Sequence, residues 1–169
     1  MLTIGGGGSS TFAGSFGETR RSLGGGGLGP PELSPAERGL FTLAQRAVPP
    51  PLTWPDPPDE IDEILREQVA PVWHLFAGVV GRYLTARAFA SWVAYQGTGL
   101  RVVVRAVEAA LAVLRIEAAR QTARTDRVLD ADALKEAIRS SDLLLVHYAD
   151  PQALADALVA YCALPSISS

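Results

Sequence analysis

At 169 residues, with 16 glycines, 12 prolines, one cysteine and a net charge of −3, the chain has room for one ordinary domain. The lone Cys162 excludes an internal disulfide, and a domain of this length can build a core without one. The mild acidity reads as spread along the chain, against a nucleic-acid binder, and no apolar run reaches the ~18–20 residues of a spanning helix.

Residues 1–33 hold most of the glycine, and nine of the twelve prolines fall before residue 60. Such a composition cannot bury enough apolar area to offset backbone entropy, so 1–33 is expected to be a flexible arm. Its opening lacks a basic and then apolar leader, and Thr19-Arg20-Arg21-Ser22-Leu23 runs into glycines rather than an apolar stretch, so no export signal is read there. Phe12 and Phe16 punctuate the arm as anchors for a partner.

Residues 34–48 predict a short helix. Ser34-Pro35-Ala36-Glu37 has the form of a capping box with proline at the first helical position, and Leu40 and Phe41 lead an apolar stripe offered to a partner. Pro49-Pro50-Pro51 stops it. Residues 49–58 read as an extended proline-rich strap in which Leu52 and Trp54 are the docking candidates.

Residues 59–164 predict an all-α module, with 165–169 as a tail. Asp59, Glu60, Asp62 and Glu63 complement the dipole of a starting helix rather than ligate a metal. Apolar residues then recur at helical spacing, and Pro71 is expected to kink or divide the run. Trp73, Phe76, Tyr83, Trp92 and Tyr95 crowd this segment with His74. They read either as core or as the wall of a site for an apolar ligand such as a quinone or lipid.

Gly97-Thr98-Gly99 marks a turn. Leu100, Val104, Val107, Leu111 and Leu114 then alternate steps of four and three, a heptad seam that predicts self-association. Three consecutive valines keep a strand at 100–105 as the rival reading. Asp130 or Asp132 caps a further helix, 143–147 is short enough for a strand, and Asp150-Pro151 starts the last helix. His74 and His147 lack partners at metal-ligand spacing and read as structural, Cys162 reads as a small core hydrophobe, and no catalytic or metal-binding set is assigned.

The layout of arm, strap and apolar helical module resembles the stalk or scaffold subunit of high-affinity nickel–iron uptake hydrogenases. The resemblance implies an arm that grips larger catalytic subunits and a helical part that assembles into a tube conducting menaquinone. The expectation is thus a non-catalytic, homo-oligomeric scaffold in the cytoplasm, at or near the inner face of the membrane. A helical dimeric enzyme acting on an apolar substrate and a peripheral membrane adaptor are the alternatives.

Overall fold

The computed structural model describes residues 32–163. Phe12 and Phe16, the arm up to residue 31 and the tail lie outside the described residues. Among those described, the fold is all helical, without a strand. Helices α1 (Pro35–Arg46), α2 (Ile61–Ile64), α3 (Ala70–Trp73), α4 (Ala77–Ala94), α5 (Leu100–Thr125), α6 (Ala131–Asp142) and α7 (Pro151–Ala163) are arranged around α5. The three-valine run lies in α5, and Leu143–Tyr148 is a π-helical turn, so neither ambiguous stretch is a strand.

The helix ends follow from local chemistry. The Ser34 hydroxyl accepts from the Glu37 backbone N–H while the Glu37 carboxylate accepts from the Ser34 N–H, which completes the capping box. Asp130 and Asp150 cap α6 and α7 by accepting from Ala133 and Ala153. Gly97 and Gly99 adopt φ of 89° and 94°, which turns the chain sharply between α4 and α5. Pro71 has no N–H to donate, and its ring would press on the carbonyl four residues back. The backbone answers with a π-helical turn at Leu65–Val69, in which the Ala70 N–H reaches the Leu65 carbonyl. The Gln68 carbonyl accepts from Leu129 N–H at 2.9 Å, tying this turn to the loop between α5 and α6.

Helix α5 is roughly 39 Å long at about 1.5 Å per residue. Helices α1, α2, α4, α6 and α7 all pack on it, and every residue from Ala112 to Arg120 is buried. Its alanines, Ala106, Ala109, Ala110, Ala112, Ala118 and Ala119, leave room for close neighbours on several sides. From Ala112 to Arg120, α5 is therefore enclosed by the chain's own helices.

Two sequence expectations change here. Leu40 and Phe41, expected to meet a partner, are only 1% and 2% exposed and belong to the chain's own core with Ala44. Helix α1 is held by α5, so its apolar stripe is already covered. Leu114, expected at an oligomer seam, is wholly buried because α5 runs from the molecule's edge into its centre.

Candidate interaction surface

Buried charges of α5 are covered by α1 and the strap. Arg115, buried on α5, pairs with Glu37 and donates to the Glu32 carbonyl at 3.1 Å. Burial pushes the Glu37 carboxyl up, but bonds from Ser34 and the Arg115 guanidinium outweigh it, and the net shift is downward. One turn further, Arg120 pairs with Glu117, donates to the Pro55 carbonyl and lies 5.7 Å from the Phe41 ring centroid. Burial raises Glu117 and lowers Arg120; each charge offsets only part of the other's desolvation.

Trp54 completes this layer. Its indole N–H donates to Glu117 at 3.1 Å, and its ring meets Tyr148 edge-on at 5.7 Å. Gln45 reaches the Trp54 and Pro55 carbonyls at 3.2 and 3.1 Å. Trp54, expected to dock on a partner, is thus half-buried against the chain's own helices, because its polar edge finds a carboxylate there. Leu52 stays exposed.

The aromatic segment divides between two faces of the rod formed by α3 and α4. Trp73, Val80 and Tyr95 are buried, and Phe76, Tyr83 and Leu84 are partly buried against the core. His74 and Trp92 point outward with Leu75 and Phe89. The six residues expected to enclose an apolar ligand therefore do not converge. A helix rotates about 100° per residue, so a run of neighbouring aromatics is spread around its circumference. Both histidines, His74 and His147, are at the surface rather than in the core.

The inward face carries polar atoms without partners. The Tyr83 hydroxyl, Trp73 Nε1, Gln68 Oε1 and Arg87 Nε are buried with no hydrogen bond of good geometry. Arg87 on α4 lies 3.9 Å from Asp142 at the end of α6, an ion pair too long for a direct bond. Burial pushes the Tyr83 phenol well up, and the nearby Asp142 carboxylate adds to it. Burial also raises Tyr95, offset in part by Arg87.

The outward face is the most distinctive surface. Leu75, Val79, Arg82, Ala86, Phe89 and Val93 follow steps of four and three, and all are exposed. Phe89 is 72% and Trp92 56% exposed. Across the Gly97–Gly99 turn, the start of α5 adds Leu100 at 67% and Val104 at 47%. Of the seam expected to self-associate, these two are at the surface, whereas Val107 and Leu111 are half-buried. Helix α4 is thus apolar on both faces but has one of them covered.

Charge is not evenly spread, contrary to the impression given by the total. Residues 68–107 contain four arginines, Arg82, Arg87, Arg101 and Arg105, and no aspartate or glutamate, which leaves −7 for the rest of the chain. Arg105 pairs with Glu108 at 2.6 Å, while Arg82 and Arg101 have no ion-pair partner among the described residues. In the sequence, Arg82 and Arg87 are already the only charged residues between Gln68 and Leu100, and the acid-free stretch runs on to Val107.

No known family model, curated protein or solved structure matches the chain. The likeness of its layout to hydrogenase stalk subunits has no counterpart in these comparisons. Among the described residues no helix is long and apolar enough to cross a membrane.

Proposed function

We propose that this chain is a non-catalytic docking subunit, a helical frame that presents the α4–α5 hairpin to a larger assembly. The observation that carries this reading is the exposed stripe from Leu75 to Val93, continued by Trp92, Leu100 and Val104. A continuous apolar surface beside a well-packed core is a site of association, since leaving it in water forgoes about 25 cal/mol per Å². The frame supports this role. Arg115 pairs with Glu37 of α1, and Arg120 and Glu117 bond Pro55 and Trp54 of the strap, so buried polar contacts hold α1 and the strap on the helix that carries the hairpin.

A photo-activated cross-linking residue placed at position 92, in cells that make the protein, tests the reading. Adducts are expected at 92 and not at Lys135, an exposed position on α6. Equal adduct yields at the two positions would remove the hairpin as the docking face.

A further inference from the structure

We infer that the surface on which the α4–α5 hairpin docks is an anionic lipid bilayer, an inference that rests on the docking reading above. Three features of the hairpin decide between the apolar surfaces that could cover it.

The first is charge. Arg82 sits inside the exposed stripe between Val79 and Phe89, and Arg101 follows Leu100 at the start of α5. Neither is paired within the described chain, and no carboxylate occurs from residue 68 to 107. In a symmetric pairing of two copies, the same patch lies on both sides. The arginines of both copies would then be gathered into one interface to which residues 68–107 bring no acid, and such like-charge crowding opposes association. An anionic surface satisfies the same arginines directly.

The second is residue type. Phe89 and Trp92 are the large side chains of the patch, flanked by Val79, Val93, Leu100 and Val104. Aromatic rings with aliphatic neighbours and arginine are the set that lies at the boundary between lipid headgroups and acyl chains. The long arginine side chains can keep their guanidinium groups at phosphate level while the helix face sinks below them.

The third is depth. With no described helix able to span, contact through one face of α4 and the tip of α5 gives a surface-bound, in-plane arrangement.

The test uses the full chain and vesicles of phosphatidylcholine alone or with 30% phosphatidylglycerol. At low salt, co-sedimentation is expected to be at least tenfold stronger with the anionic vesicles and to fall several-fold as salt is raised, because the arginine contribution is screened. Phe89→Ser with Trp92→Ser should reduce binding at least tenfold. Arg82→Gln with Arg101→Gln should erase the preference for anionic vesicles. All four side chains are exposed, so the melting temperature should be unchanged, and Lys135→Gln should leave binding unaffected. Brominated acyl chains should quench Trp92, the exposed indole, and the quenching should vanish in Trp92→Ser.

Equal binding to both vesicle types would overturn the inference. So would the absence of vesicle binding together with a dimer that Trp92→Ser dissociates, although that result would preserve the docking reading. A monomer that binds no vesicle and gives no cross-links at position 92 would overturn both.

Discussion

The Tyr83 hydroxyl is buried beside Ser141 and Asp142 with no hydrogen bond of good geometry, and burial pushes its phenol well above the usual range. A buried polar group without a partner contributes desolvation cost and no bond. Removing the oxygen while keeping the ring should therefore be harmless. Tyr83→Phe is expected to leave stability unchanged or raise it by up to about 1 kcal/mol, read from the urea midpoint. A loss larger than this would mean that the hydroxyl has a partner in solution, and Ser141 and Asp142 at the end of α6 are the groups within reach. Trp54 shows the opposite case, since its indole N–H meets Glu117 and its ring meets Tyr148. One aromatic is thus satisfied in the strap while the other is strained for partners in α4, which the residue types alone do not reveal.

Besides its apolar contacts, helix α1 is joined to α5 by a carboxylate with two duties. Glu37 closes the capping box at Ser34 and pairs with the buried Arg115. Glu37→Gln keeps the shape but loses the charge, and at pH 7 it is expected to lower stability by about 1–2 kcal/mol, the lower end reflecting partial exposure. The pH dependence has a definite sign. Because the folded-state pKa of Glu37 lies below its ordinary 4.5, the charged form is favoured by folding. Its contribution is complete above that value and is lost as pH falls through the lowered folded pKa. The stability gap between the two proteins should therefore be constant near neutrality and close in acid. Urea titrations at a series of pH values measure it, and a gap that widens below pH 4.5 would contradict the assigned pairing. Glu117, shifted the other way by burial, is present in both proteins and cancels in the difference.

For the molecule as a whole, the strap and α1 are structural parts of the helical module. Residues 34–58 read in the sequence as an appendage, and a module beginning near residue 59 reads as self-sufficient. In the structure, cutting there removes Leu40, Phe41 and Ala44 from the core and uncovers Arg115, Glu117 and Arg120. Each large core side chain is worth about 1.5–3 kcal/mol, and uncovered partners add to the loss. Total stability of a domain is only about 5–15 kcal/mol. The fragment 59–169 is therefore expected to lack a cooperative urea transition and a near-ultraviolet circular dichroism signal, while the full chain shows both. A fragment that unfolds cooperatively would show that α1 is an accessory.

Local chemistry alone determined much of the secondary structure. Ser34 to Glu37, Asp130, Asp150 and the Gly97–Gly99 turn each place a helix end through bonds within three or four residues, and such signals need no tertiary context. The helical period likewise made the apolar stripes of α1, α4 and α5 visible, and Pro71 marked the interruption that the π-helical turn at Leu65–Val69 makes. What the period does not contain is the identity of whatever covers a stripe. Leu40 and Phe41 looked available and are core, whereas Leu100 and Val104 looked equivalent to Leu114 and alone remain at the surface. That choice depends on contacts such as Trp54 with Glu117 and Glu37 with Arg115, between residues 63 and 78 positions apart. Burial is a property of the packed neighbours, so only the assembled helices decide which apolar face is spent inside the chain and which is left for a partner.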